Sequence, residues 1–161
     1  MADCTVDKYV GREVALEFFI GCGDVLPTPA EWVPLGAVRT KEVTNEWDSV
    51  DATADDSVGN VRNSLATYLS YGLSGDGVCK RADGTLSNQT LLYKHVKNPT
   101  ATGGQPVAWF RVTFPDVTET GFMLITSYSR SAPFDDVVTY SIEATATESP
   151  FGVIVEDTPI V

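Results

Sequence analysis

Histidine, cysteine and positive charge are all scarce in this sequence. Its 161 residues include one histidine, His95, three cysteines, and 11 lysines and arginines against 22 aspartates and glutamates, for a net charge of -11. The thiols are widely spaced without a CxxC pair, so they do not supply the roughly four ligands of a zinc site, and we expect them to be reduced. The acidic balance argues against a protein that grips nucleic acid, because that binding needs clustered lysine and arginine.

Long apolar runs are also missing. No stretch reaches the roughly 18 apolar residues of a transmembrane helix, and the longest ones, residues 14–20 and 121–125, are strand-sized. The N-terminus lacks a basic start followed by an apolar segment, so we expect no secretory signal. Hydrophobic residues nevertheless make up 43% of the chain. That content is enough for one packed domain that needs neither disulfides nor metal ions.

Alternating apolar and polar residues predict a mainly β protein. Short apolar or alternating segments recur along the chain and are bounded by glycine and proline. One helix is predicted over residues 86–97, capped by Thr85 and stopped by Pro99. One helix among many strands gives a mainly β domain with a single covering helix. The predicted strands cover residues 14–20, 40–50, 65–73, 107–114, 122–128 and 137–147.

The connections between these elements are long for a domain of this size. They reach or exceed the usual upper length of a connection, which is typical of loops that a partner orders. We interpret residues 1–161 as one domain with long loops at 22–36, 51–63 and 98–106, and with a last strand or docking arm at 149–161.

Charge is distributed unevenly along the chain. Residues 80–111 carry five basic residues and one acidic residue, whereas the segments on both sides are negative. This pattern indicates a protein with one acidic and one basic surface, or one that associates with itself.

No group of residues has the pattern of an active site. His95 is the only candidate base for a serine or cysteine nucleophile, and its place in the predicted helix suggests a surface residue. The adjacent aspartates at 55–56 and 135–136 lie in predicted turns, where carboxylates face water instead of each other. Together with Asp48 and Asp51, the first pair lacks the ligand order of a calcium loop. We therefore predict no enzyme, no catalytic residue, no metal site and no cofactor.

Several segments, taken in order, resemble one protein family. An apolar strand near the N-terminus is followed by EWVPLGAVRT (31–40) and by TNEWDSVDAT (44–53), a strand that runs into an acidic loop. LSYGLSGDG (69–77) resembles a strand that ends in a small glycine-rich segment. After AWFRVTFPD (108–116) comes the most specific stretch, GFMLITSYSRSAPFDDVVTYSIE (121–143), with a strand, a turn and a strand.

Over roughly residues 12–150 the chain resembles the major tail tube proteins of long-tailed, siphophage-type bacteriophages. The resemblance implies two antiparallel sheets packed as a sandwich or barrel with one flanking helix, a fold shared with type VI secretion tube proteins. It also implies a structural virion protein, made in the host bacterial cytoplasm, whose hexameric rings stack into a tail tube for genome passage. The implied partners are further copies, the tape measure protein, and tail initiation, baseplate and terminator proteins. DNA would pass through without specific binding, and no membrane insertion is implied.

An acidic wall suits such a tube, because it repels phosphates that lysine or arginine would capture. Which alternating polar residues face the channel stays open at this point. The candidate lumen-lining residues are Glu42, Glu46, Asp48 and Glu143. The candidate inter-ring loop residues are Asp51, Asp55, Asp56, Val58 and Asn60.

A second hypothesis is a β-sandwich module that binds carbohydrate or protein. Its support is the set of aromatic residues Trp32, Trp47 and Trp109, if these are exposed. Packing in a core or an interface is the competing explanation for the same residues. Size distinguishes the two hypotheses, since a tube protein forms long filaments and a binding module stays a small, fixed oligomer.

Overall fold

A computed structural model describes residues 8–81 and 87–158 of the chain. These residues form strands and one α-helix, together with two short 3-10 turns. The elements are β1 (Ala15–Phe19), β2 (Val33–Pro34), β3 (Val38–Asp51), β4 (Ser64–Val78), α1 (Asn88–Lys97), β5 (Val107–Thr113), β6 (Val117–Ser131), β7 (Thr139–Ala146) and β8 (Ile154–Asp157).

All of these strands belong to one antiparallel sheet. Its order is β2-β1-β5-β6-β7-β4-β3, and β8 pairs with β6. The sheet turns at β6, whose first half lies between β5 and β8 and whose second half pairs with β7. The two halves of the sheet pack on each other, since a Cβ at Gly75 in β4 would lie 3.8 Å from Leu16 of β1. The predicted mainly β, two-layer fold with one helix is confirmed, and its layers are the halves of one sheet that does not close.

The core lies between these two halves and is built from alternate residues of the strands. Tyr71 and Leu73 of β4 are buried, as is Ile142 of β7, while Leu16 and Phe18 of β1 cover them from the other half. Because successive side chains of a strand point to opposite faces, the other face of β4 and β7 is turned away from the core.

Strands β4 and β6 are longer than their sequence pattern predicts, because they span Ser64–Val78 and Val117–Ser131 instead of residues 65–73 and 122–128. The glycine-rich segment 69–77 belongs to β4 and forms its end, as the resemblance implies. The carbonyl of Ala37 lies so close to Gly77 that a side chain there would clash with it. Glycine at this position therefore allows the close approach of two segments of backbone.

The helix begins later than predicted. Ser87 is its N-cap, and the Ser87 hydroxyl accepts a hydrogen bond from the Thr90 N–H at 3.3 Å. The predicted cap, Thr85, lies outside the described residues. The helix ends before Pro99, as its sequence indicates.

Gln89 ties the start of the helix to the sheet. Its side-chain amide donates to the carbonyls of Gly36 at 2.8 Å and Val78 at 3.1 Å, and its carbonyl accepts from the Lys80 N–H at 2.9 Å. Gln89 is buried, so these bonds satisfy polar groups that would otherwise be costly. One turn further on, Leu92 is fully buried in the core.

His95 is buried, and its predicted position on the helix surface is wrong. Only 6% of the residue is exposed, and the Nε2 atom lies 2.8 Å from the carbonyl oxygen of Val107. The last turn of α1 lies against the start of β5, where this carbonyl gives the ring a hydrogen-bond partner. His95 therefore links the last turn of α1 to β5 and helps to hold the helix in place.

Candidate assembly surfaces

The outward face of β3, β4, β7 and the second half of β6 is polar. Directly paired residues of antiparallel strands share a face, so the register of these strands defines rows of neighbouring side chains. The rows contain hydroxyl and carboxylate groups and no lysine or arginine. The two central rows are Glu42–Ser74–Glu143–Ser127 and Thr40–Asp76–Ser141–Ser129.

Three of the four candidate lumen residues share this polar face. Glu42 and Glu143 belong to the same row, and Glu46 lies two rows further along β3, opposite Ser70. All three side chains are exposed. Asp48 lies apart from them, beside the β-bulge between Trp47 and Ser49. Both Glu46 and Asp48 lie in the part of β3 that β7 does not reach.

Asp76 joins these carboxylates although the sequence analysis does not single it out. It is exposed and pairs with Thr40 on one side and Ser141 on the other. The alternation Gly75-Asp76-Gly77 is the sequence signal for a polar strand position. A glycine-rich segment, however, also fits a turn, so the residue could not be placed from its neighbours alone.

Most basic residues of these strands lie off the polar face. The Lys41 Nζ, on the opposite side of β3, donates to the Gly11 carbonyl at 3.2 Å, and burial lowers the pKa of Lys41. Arg130 lies over the ring of Tyr93, on the helix side of β6. Arg39 occupies the bulge at the end of the face. Acidic and basic groups are therefore largely separated between the two sides of this sheet.

A two-stranded hairpin extends beyond the body of the sheet. The last residue of β4 that pairs with β7 is Gly72, and from there β3 and β4 continue with only each other as partners. We call residues 45–70 the arm. From Asn45 to Asp51 the arm extends roughly 20 Å at about 3.4 Å per residue. A ribbon of two strands is marginally stable by itself, so the arm is a candidate for docking on another molecule.

The arm exposes several large apolar side chains. Trp47 is 58% exposed and Tyr68 is 77% exposed. Such a concentration of exposed apolar groups marks an interaction surface. The other exposed apolar residues of the arm are Val50, Val58, Val61, Leu65 and Leu69.

Hydrogen bonds shape the base of the loop at the tip of the arm. The Asp51 carboxylate accepts the hydroxyl of Thr53 and the Thr53 N–H, the latter at 2.8 Å, and these bonds lower the pKa of Asp51. Arg62 lies 3.4 Å from the same carboxylate. Asp51, a candidate inter-ring residue, is thus engaged within its own loop.

The other candidate inter-ring residues are exposed at the tip of the arm. Asp55 and Asp56 lie in a turn, Val58 is 91% exposed, and Asn60 adopts a left-handed conformation with φ of 57°. Neither aspartate forms an ion pair among the described residues. The loop therefore presents free carboxylates next to an apolar group.

Two strand edges lie unpaired at the borders of the polar face. β3 is the last strand of the sheet order, and β6 loses its partner β5 after Leu124, so residues 125–131 pair only with β7. Within residues 8–81 and 87–158 no strand pairs with either outer edge. Such edges are ready templates for a strand of another chain.

The three tryptophans do not form a shared binding surface. Trp109 is fully buried, and its Nε1–H donates to the Cys22 carbonyl at 3.0 Å, so packing in the core is the explanation for this residue. Trp32 is half-buried beneath the guanidinium of Arg111. Only Trp47 is strongly exposed, and it lies on the arm.

The part of the chain that the structure describes contains no cluster of three or more histidine, cysteine, aspartate or glutamate side chains that could hold a metal ion. None of its helices is long and apolar enough to cross a membrane.

The described residues form an open β-sheet with unpaired edges and an exposed apolar arm, and comparison with known families identifies the class of protein. A family model described as phage tail tube protein matches residues 10–149. The chain belongs to the phage tail tube protein family and is a structural component of the virion tail. Both the resemblance and the prediction that the chain is not an enzyme are confirmed by this membership.

Chains of several solved assemblies have the same fold as this chain. A chain of the virion of a native gene transfer agent particle is 18% identical, with a TM-score of 0.67 over 94% of this chain and 100% of that chain. A chain of the SPP1 tail tube is 17% identical, with a TM-score of 0.64 over 94% and 80%. A chain of the anti-feeding prophage tube-terminating cap is 10% identical, with a TM-score of 0.57 over 98% and 97%. The comparison with curated protein sequences gives no match.

Proposed function

We propose that this protein forms hexameric rings that stack into the tail tube, and that the bore of the tube conducts the genome into the host. The observation that carries the proposal is a four-stranded sheet with one polar face and an unpaired edge at each side. The tail of the empty gene transfer agent particle, a fold relative, was solved with C6 symmetry. On this proposal the chain is made in the host cytoplasm and assembles there.

The unpaired edges supply a way to close the ring. The β3 edge of one copy pairs with residues 125–131 of β6 in the next copy, which is a head-to-tail contact that closes on itself when the rotation fits. Six copies then make a wall of about 24 strands. At roughly 4.8 Å between strands and a tilt of about 40°, the backbone diameter is about 48 Å, which leaves room for a DNA duplex.

The polar face lines the bore in this arrangement. Glu42, Glu143 and Asp76 project into the channel, as does Glu46 where the arm begins. Asp48 lies two residues further along the arm, beside the channel. These carboxylates repel DNA phosphates over a range of about 8 Å at physiological salt. Repulsion keeps the DNA free to slide, whereas cationic groups would bind it by releasing counterions.

The arm makes contacts between stacked rings. Its exposed apolar side chains become buried there, and the loop with Asp51, Asp55, Asp56, Val58 and Asn60 reaches the neighbouring ring. The tape measure protein and the initiation, baseplate and terminator proteins are the further partners in this proposal. Fold relatives that include a tube cap and a baseplate support it.

Negative-stain microscopy of the purified protein tests the proposal directly. We expect hollow tubes of regular striation, formed spontaneously or after seeding with a tail-initiation complex. A small oligomer of fixed size that binds a sugar or protein surface would instead favour the binding-module hypothesis. A compact, solitary protein inside intact particles as well would contradict assembly altogether.

A further inference from the structure

A cleft with cationic groups along its rim lies between the end of α1 and β6. It holds about 630 Å³, and its walls include Ile20 and Tyr93. The Arg130 guanidinium lies 4.2 Å from the centre of the Tyr93 ring, and the Lys97 Nζ lies 4.9 Å from the same centre. Lys94 adds a third cation. None of the described residues that line the cleft is acidic.

This combination favours a ligand that is both anionic and partly apolar. Aromatic and aliphatic walls bind apolar side chains, while three cations without an acidic partner in the cleft attract carboxylates. The loop at the tip of the arm, residues 52–63, has this composition. Its Asp55 and Asp56 are exposed and unpaired among the described residues, and its Val58 is 91% exposed.

The loop cannot reach the cleft of its own molecule. Arg130 pairs with Tyr140, which pairs with Gly77 of β4. Ser64, at the arm's tip, lies 13 residues from Gly77 along β4, or roughly 43 Å at about 3.3 Å per residue. A loop that fills the cleft must therefore come from another copy.

We propose that, in the assembled tube, this cleft binds the loop 52–63 of a second copy. Asp55 and Asp56 face the cations of the cleft, and Val58 packs against its apolar wall. Because the loop and the cleft of one molecule lie too far apart to meet, each contact joins two different copies. The same contact then repeats from copy to copy. The inference rests on the proposed tube assembly and names the surface that receives the arm.

Charge exchange tests this pairing. We expect Asp55→Lys/Asp56→Lys and Lys94→Asp/Lys97→Asp each to lower the fraction of protein that sediments as tubes by about tenfold or more. Combining the two double variants restores tubes, because the charges again oppose each other. As a matched control, the cleft variant combined with Asp135→Lys/Asp136→Lys, another adjacent exposed pair, stays defective. Circular dichroism establishes that each monomer is folded, and failure of the cognate combination to recover any tubes would overturn the pairing.

Cross-linking separates this inference from the tube proposal. A photoreactive benzoylphenylalanine replaces Val58, and the tubes are irradiated and digested for mass spectrometry. We expect links between two copies, from position 58 to residues 93–101 or to Arg130, and none from the same replacement at Val25 in the loop that follows β1. Tubes whose links from position 58 lie elsewhere contradict the cleft assignment alone. If the unsubstituted protein forms no tubes, the proposed function itself fails.

Discussion

At the scale of single residues, we expect one tryptophan to contribute to the stability of the monomer and another to its assembly. Trp109 is fully buried against Phe122, with ring centres 5.4 Å apart, whereas Trp47 is 58% exposed on the arm. We predict that Trp109→Ala lowers the free energy of unfolding of the monomer by about 3–5 kcal/mol, because it leaves a large cavity. Trp47→Ala changes it by less than about 0.5 kcal/mol but reduces tube formation. Urea unfolding and sedimentation measure the two effects, and similar losses of monomer stability from both variants would contradict this assignment.

Buried tyrosines make the stability of the fold sensitive to alkaline pH. Burial raises the pKa of Tyr128 to about 12 from its ordinary value of 10.0. The Tyr128 hydroxyl donates to the main-chain carbonyl of Gln89 at 3.2 Å. Burial, followed by the hydrogen bond to Glu119, also raises the pKa of Tyr71. Above the ordinary pKa the unfolded chain releases these protons first, so the folded state loses stability as pH rises through the folded value.

We therefore predict that the free energy of unfolding falls between pH 10 and about 12, owing in part to Tyr128. Urea titrations across this range measure the decline. Tyr128→Phe removes the ionising group, and the decline becomes shallower than in the unsubstituted protein. A pH dependence that is identical in the two proteins would show that Tyr128 does not contribute.

The sequence predicts the strand face on which a residue lies better than it predicts burial by an element distant in the chain. Period-two alternation places Glu42, Glu46 and Glu143 on polar strand faces, and their shared face follows once the strands pair. It does not reveal burial by a distant element. His95 looks like a surface residue of an isolated helix, yet the start of β5 covers it.

At the scale of elements, the arm is the segment whose behaviour should change most on assembly. Residues 45–70 pair only within their own ribbon, while β5 and β6 lie inside the sheet. We predict rapid amide exchange over the arm in the monomer, since its two strands have no further strand beside them. The arm becomes protected in tubes, and β5 is protected in each state. Hydrogen exchange by mass spectrometry measures this, and equal protection of the arm before and after assembly would count against its role in contacts.

The existence of the strands could be predicted from the sequence better than their extent. Alternation predicts a strand over residues 65–73, and β4 spans Ser64–Val78. The same alternation suggests that Leu65 and Leu69 face a core, as Tyr71 and Leu73 do. They are exposed because β7 pairs with β4 only from Gly72 onward. The alternation within β4 cannot predict where its pairing with a distant strand begins. A row of apolar side chains that continues along a strand beyond the buried core indicates an interface with another chain.

At the scale of the whole molecule, the sheet separates two kinds of charge. Its polar face carries Glu42, Asp76 and Glu143, while Lys97 and Arg130 lie on the helix side. A net charge of -11 keeps copies apart unless opposite charges meet in defined places. The proposed assembly uses both sides, with repulsion of DNA in the bore and attraction between copies at the cleft.

A cryo-electron microscopy reconstruction of tubes assembled from the purified protein tests the central claim most directly. The account predicts that the outward face of β3, β4, β7 and β6 lines a continuous bore, with Glu42, Glu46, Asp76 and Glu143 pointing into it. A tube in which this face lies on the outer surface, or in which lysine and arginine coat the bore, would contradict the account.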